Sequence, residues 1–207
     1  MKTIIWDIDD VLNDLMRDWL ELHWKKKHPD CDVLYDEIVE NPPHRLLNIS
    51  FEDYIHSLDE FRVEKSSFMQ PVPEIKEWFR INGKNFRHIA LTATPMSLAT
   101  HSAAWLFKHF HLWFRSFNVA PSPREDGVDP SKTTKKNFLE WLGKGDIIID
   151  DNPFNIREVR DIGIETLLFP RPWNSSKLSI KEALELLNEL LQGIKVTENV
   201  NETGIRS

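Results

Sequence analysis

Two apolar runs end in clustered carboxylates: Ile4-Ile5-Trp6-Asp7-Ile8-Asp9-Asp10 close to one end of the sequence, and Ile147-Ile148-Ile149-Asp150-Asp151 far along it. Uninterrupted β-branched runs of this length read as strands buried on both faces, the habit of a parallel sheet. Such a sheet needs helices on both faces, and its ligands bind at the carboxyl ends of the strands, where both acidic clusters fall. Asp7 and Asp9 are one residue apart, so in extended backbone both side chains take one side while Ile8 packs away from them. Acids after a strand are often only solvated loop residues. Four carboxylates gathered at one sheet edge, however, would repel one another without a cation.

The rest of the chain alternates as this architecture requires. Leu12, Leu15, Met16, Trp19, Leu20, Leu22 and Trp24 recur at three and four, predicting a helix from Leu12 to about Lys27 that Pro29 ends. After the break Asn41-Pro42-Pro43, Ser50 can cap a short helix over Phe51 to Leu58, and a further helix over Glu74 to Phe79 stops at Asn82-Gly83. Strands are predicted over Phe86 to Thr92, Phe117 to Ala120, Asp146 to Ile149 and Glu165 to Phe169. The helices between and after them run from Ser97 to Phe110, from the cap Ser131 to Leu142, from Phe154 to Asp161 and from Ser179 to Leu191. The fold class is therefore α/β with a parallel sheet, interrupted after its first strand by a mostly helical insertion. The polar stretch 195–207 is expected to be a flexible tail.

Charge and composition exclude several partners. The 207 residues carry a formal net charge of −7, which argues against a general nucleic-acid binder, and Lys25-Lys26-Lys27 is the one basic run. No apolar run approaches the roughly 20 residues that span a bilayer, and no signal peptide is recognised. A single cysteine, Cys31, permits no internal disulfide, so a reducing, cytoplasmic location is expected.

An all-oxygen acidic site suits magnesium. Zinc is disfavoured, since His109 and His111 would diverge at a helix end. Thr92 ends a strand just before a helix, where a hydroxyl and free amides can hold a phosphate; a plain turn or capping threonine is the other reading. Lys132 would stand at a helix start, where its charge opposes the helix dipole and so needs another reason. Lys135 and Lys136 compete with it, and Thr94 can share the work of Thr92.

The ordered set of Asp7-Ile8-Asp9-Asp10-Val11, Thr92, Lys132 and Asp150-Asp151 resembles the haloacid dehalogenase superfamily of phosphohydrolases. Phe68-Met69-Gln70-Pro71-Val72-Pro73, Asp150-Asp151-Asn152-Pro153-Phe154-Asn155-Ile156 and Leu168-Phe169-Pro170-Arg171-Pro172-Trp173-Asn174 look most like its 5′-nucleotidase and deoxyribonucleotidase branch. The resemblance implies a three-layer α/β/α Rossmann-like core over residues 1–13 and 86–194, with a helical cap over 14–85. It implies Asp7 as nucleophile and Asp9 as acid and base. Thr92, Ala93 and Lys132 would bind phosphate, with Thr94 able to share the work of Thr92, and magnesium would be held by Asp7, Asp150 and the main-chain carbonyl of Asp9, with Asp151 assisting or orienting its neighbours. Asp10 stands where the family often has glycine, and Val11 where it often has threonine.

The implied partner is a small phosphorylated metabolite, a nucleoside monophosphate foremost and a sugar phosphate as the alternative; a homodimer is left open. The acid at Asp9 favours phosphatase over dehalogenase, because an alkoxide leaving group needs a proton and a halide does not. A phospho-accepting signalling module and a catalytically silent binding protein are the alternatives of other classes.

Overall fold

The computed structural model describes residues 1–122, 124 and 134–193. Ser131, Lys132 and the tail 195–207 lie outside the described residues. Five strands, β1 (Thr3–Trp6), β2 (Arg87–Thr92), β3 (Phe114–Val119), β4 (Ile147–Asp150) and β5 (Glu165–Leu168), form a parallel sheet in the order β3-β2-β1-β4-β5. The two acid-tipped runs are therefore neighbours at its centre. Ile4 pairs with Ile147 and Trp6 with Ile149, so β1 and β4 end level with one another.

Helix α1 starts at Leu15 (Leu15–Trp19) and continues through a π-helical turn, Leu20–Trp24, into Lys25–Lys27. The others are α2 (Phe51–Lys65), α3 (Pro73–Asn82), α4 (Met96–Phe110), α5 (Lys135–Leu142), α6 (Pro153–Arg160) and α7 (Ile180–Gln192). Alternate residues of the central strands feed two separate cores. Ile4, Trp6, Ile147 and Ile149 pack with Phe79 of α3, Trp105 and Phe110 of α4 and Leu187 of α7. Ile5 and Ile148 pack with Leu139 of α5 and with Ile156 and Val159 of α6. Burial on both faces explains why these strands read as unbroken apolar runs. Among the described residues no helix is long and apolar enough to cross a membrane.

Helix α1 begins three residues later than its periodicity predicts, because the chain first makes a tight turn. The N–H groups of Leu12 and Asn13 donate to the Ile8 carbonyl at 2.9 and 3.2 Å. Asp10 takes a left-handed conformation there, φ 60°, which accounts for glycine being the usual residue at such a place. An aspartate tolerates it because its carboxylate accepts the Met16 N–H at 2.9 Å and so caps the helix that follows.

His88 on β2 joins the strands to the layer above them. Trp6 Nε1 donates to His88 Nδ1 at 3.0 Å, which puts the imidazole proton on Nε2, 2.7 Å from the Gly83 carbonyl. Burial pushes this imidazole from 6.5 down to about 4. A base whose pKa falls on folding contributes stability that is complete above the unfolded pKa and drains away as pH falls towards the folded one. His88→Gln is therefore expected to narrow its stability gap to the parent by up to about 3 kcal/mol between pH 7 and pH 4. Urea unfolding of both proteins across that range measures it; a constant gap would contradict the neutral, doubly bonded imidazole.

Candidate active site

Asp7 is the first residue beyond β1, Asp150 the last of β4, and Asp151 follows it. The Asp7 N–H still donates to the Ile149 carbonyl at 3.0 Å, so strand pairing fixes the approach of the three acids. One oxygen from each of Asp7, Asp150 and Asp151 lies within 4.8 Å of the others, and all three residues are buried. Lys135 reaches into this cluster from the first turn of α5. Its Nζ is 2.7 Å from Asp7 Oδ1 and 2.7 Å from Asp150 Oδ2, and the side chain is only 2% exposed.

The start of α5 explains which lysine arrives. Thr134 caps the helix by accepting the Asn137 N–H at 3.4 Å, while Asn137 Oδ1 accepts the Thr134 N–H at 3.2 Å. This reciprocal box places Lys135 at the first helical position, where the dipole disfavours a cation and the two carboxylates compensate. Burial works against its charge, but Asp150 and Asp7 outweigh burial and raise the Lys135 pKa, keeping it an ammonium.

Other bonds hold the carboxylates in place. Asp150 Oδ1 accepts the Asn152 N–H at 2.8 Å, and Asn155 Nδ2 bridges both Asp150 oxygens at 3.2 and 3.1 Å. Trp173 Nε1 donates to Asp151 Oδ2 at 2.7 Å. Three carboxylates against one ammonium leave two negative charges without a partner inside the cluster. Burial, with Asp150 and Asp151 adding repulsion against the pull of Lys135, raises the Asp7 pKa well above the usual carboxylate range. Burial and repulsion from Asp150 and Asp10 likewise push Asp151 up to about 8. A preformed all-oxygen site with two surplus charges fits a hard divalent cation.

The carboxylate of Asp9 turns elsewhere. Its Oδ2 accepts from Arg62 Nη1 at 2.7 Å and from Thr94 Oγ1 at 3.0 Å, and its Oδ1 accepts from Asn13 Nδ2 at 3.3 Å. Burial favours the protonated acid, yet the Arg62 charge and these three donors together hold Asp9 below the usual carboxylate range. Thr92 stands at the end of β2, and its hydroxyl is 3.0 Å from that of Thr94. A cavity of about 270 Å³ opens over these residues; Asp7, Asp9, Thr92, Ala93, Arg62 and Lys135 all line it. Behind it, Arg171 Nε and Nη2 donate to the carbonyls of Asp10 and Asn13, locking the turn after β1 to the segment after β5.

Asp7, Asp9, Thr92, Ala93, Thr94 and Asp151 thus border one cavity, and Asp150 supports it from below. Lys135 touches the cluster, while Lys136 faces Asp161 at 4.0 Å. Arg62, Asn155 and Trp173 were not singled out as site residues by the sequence; Asn155 and Trp173 fell inside segments it flagged.

No protein-family model matches the chain, and no curated protein matches it in sequence. Solved structures do match it. A haloacid dehalogenase-like family hydrolase from Streptococcus pneumoniae superposes with a TM-score of 0.61 at 15% identity, over 92% of this chain and 98% of that one. A HAD-family hydrolase from Deinococcus radiodurans, solved with bound phosphate and sodium, gives 0.54 at 10% identity over 94% and 96%. A candidate HAD-hydrolase from Bacillus subtilis, solved with bound magnesium, gives 0.52 at 14% over 90% and 98%. The fold is that of the haloacid dehalogenase-like hydrolases. At such identities the likeness is one of fold, and the chemistry of this chain follows from its own residues.

Proposed function

We propose that the chain is a magnesium-dependent phosphatase that hydrolyses a small phosphomonoester through an aspartyl-phosphate on Asp7. The observation that carries this reading is the meeting of Asp150 with Asp7, Asp151 and Lys135, which line one cavity together with Asp9. It is supported by two neighbours of the same fold, one solved with magnesium and one with phosphate. Asp7 and Asp150 would hold the metal beside Asp151, with the Asp9 carbonyl as the further oxygen that the family resemblance implies. When bound, magnesium neutralises phosphoryl charge and the surplus carboxylate charge.

Asp7 attacks phosphorus while the bond to the ester oxygen breaks, and Asp9, which has to leave its Arg62 ion pair and enter this step protonated, gives that oxygen its proton. Asp9 then takes a proton from the water that attacks the aspartyl-phosphate, releasing phosphate and restoring Asp7. Lys135 holds Asp7 in line and pulls against the burial that opposes its ionisation, which a bound cation would complete, and Thr92 offers its hydroxyl to a phosphoryl oxygen. The segment 14–85 serves as the cap, closing the cavity with Tyr54, Leu58 and Arg62 of α2.

At about 270 Å³ the cavity lies just below the range of ligand pockets, which run about 300–1,000 Å³. Trp19, Trp24, Tyr35 and Phe61 belong to the hydrophobic core, so they offer no face to a base. A sugar phosphate or similar small polar ester therefore fits the cavity best. A nucleoside monophosphate is the second reading, favoured by Tyr54 and Trp173, the two aromatic side chains that do line it.

Hydrolysis of p-nitrophenyl phosphate, sugar phosphates and deoxynucleoside monophosphates with magnesium, and its loss in excess chelator, tests the proposal. Turnover of at least one of these esters is expected only with the metal. Failure on the whole panel would overturn the phosphatase reading, and preference for a nucleotide would replace the sugar phosphate by the second reading.

A further inference from the structure

The segment after β5, residues 169–176, clasps both acidic turns at the sheet edge. Arg171 is buried; its Nε and Nη2 donate to the Asp10 and Asn13 carbonyls at 2.5 and 3.2 Å, and its Nη1 pairs with Asp14 Oδ1 at 2.5 Å. Two residues on, Trp173 Nε1 donates to Asp151 Oδ2 at 2.7 Å. Asn174 Nδ2 then donates to the main-chain carbonyls of Asp151 and Phe169, both at 2.8 Å, while its Oδ1 accepts the Ser176 N–H at 3.1 Å. Asp151 is therefore gripped at its carboxylate and at its carbonyl by adjacent residues of one loop, and the same loop is tied to the turn after β1.

These bonds also decide how many oxygens the acids can offer. Asp7 Oδ1 faces Lys135, Asp150 Oδ1 accepts from Asn152 and Asn155, and Asp150 Oδ2 accepts from Lys135 and Asn155. Among the described residues, Trp173 is the one side-chain donor to the Asp151 carboxylate. An indole has a single N–H on a rigid ring, and here the ring is braced edge-on against Tyr35, with centroids 6.0 Å apart. The donor cannot swing with the carboxylate, so one Asp151 oxygen stays committed. Magnesium accepts single oxygens in a tight octahedron, whereas calcium takes more ligands and readily binds both oxygens of one carboxylate.

We infer that Trp173 is a positioning residue of the metal site: by holding Asp151 Oδ2 it restricts Asp151 to one oxygen and so tunes the acidic cluster to magnesium over calcium. The inference rests on the magnesium site of the proposed phosphatase and adds to it the side chain that sets the ion preference. An indole N–H cannot ligate a cation, so Trp173 acts through Asp151. Partners that donate to a metal-binding carboxylate typically carry roughly 10–100-fold in metal affinity.

Calorimetric titration of the full chain with magnesium and with calcium, without substrate, tests this. Trp173→Phe keeps an aromatic ring beside Tyr35 and removes the donor. It is expected to weaken magnesium binding roughly 10-fold or more and calcium binding less than about 3-fold, so that the preference for magnesium shrinks. A loss of packing alone would weaken both ions alike. Trp173→Met, which also lacks the donor, carries the same comparison should Trp173→Phe fail to fold. Equal losses for both ions, an unchanged magnesium affinity, or a parent without preference for magnesium would overturn the positioning role. A parent that binds neither ion would instead overturn the metal site, and with it the phosphatase reading.

Discussion

Lys135→Met is expected to destabilise the fold by about 3–5 kcal/mol in magnesium-free buffer, the usual cost of removing one partner from a buried ion pair. Lys135 Nζ is the ammonium bonded to both Asp7 and Asp150, each at 2.7 Å, and methionine fills much of its volume without its charge. The three acids would then face one another uncompensated and pick up protons in place of the lost cation. Magnesium should restore part of the loss, because an ion that binds only the folded state stabilises it by an amount that grows with the logarithm of its concentration over its Kd. Guanidinium unfolding with and without magnesium reads both numbers. A loss below about 1 kcal/mol, or no greater response to magnesium than the parent shows, would mean that Lys135 is not the counter-charge of the cluster.

Asp7→Asn carries the second large effect and acts in the opposite sense on stability. It should remove turnover by at least about 10⁴-fold, the scale on which loss of an essential catalytic group is felt. It should also raise the melting temperature in magnesium-free buffer, because burial and repulsion from Asp150 and Asp151 make ionised Asp7 costly to the fold. An inactive variant that is more stable than its parent separates chemistry from folding.

Much of this was legible in the sequence. The runs ending at Asp7 and Asp150 stand out because both faces of the central strands are buried, which leaves no polar alternation to blur them. Thr92 is marked by the same logic at the end of β2. The lysine that reaches the acids is harder, because a helix start is set by its cap and several residues before α5 could serve. Ser131 and Lys132 lie outside the described residues, and the Thr134–Asn137 box moves the helix start, and with it the buried lysine, three residues along. That box is visible in the sequence as a threonine followed at the third position by an amide. Arg62 had no comparable signal. It meets Asp9 only because α2 continues past Leu58 through the charged Asp59-Glu60 step, and the pairing depends on tertiary placement that no local pattern encodes.

The aromatic residues of the segment 14–85 carry a related lesson. Trp19, Trp24 and Phe61 build the hydrophobic core, as large apolar side chains commonly do. The side chains of α2 that do line the cavity are Tyr54, Leu58 and Arg62.

The most direct measurement mixes the Asp9→Asn variant with magnesium and acetyl phosphate, whose acetate leaving group needs little protonation, and maps the modified peptide by mass spectrometry after acid quench. Lacking the base that activates water, the variant should accumulate a phosphoryl group on the peptide containing Asp7, and the further change Asp7→Asn should abolish it. A phosphoryl group on another side chain, or turnover by the parent with none on Asp7 in either protein, would contradict the account.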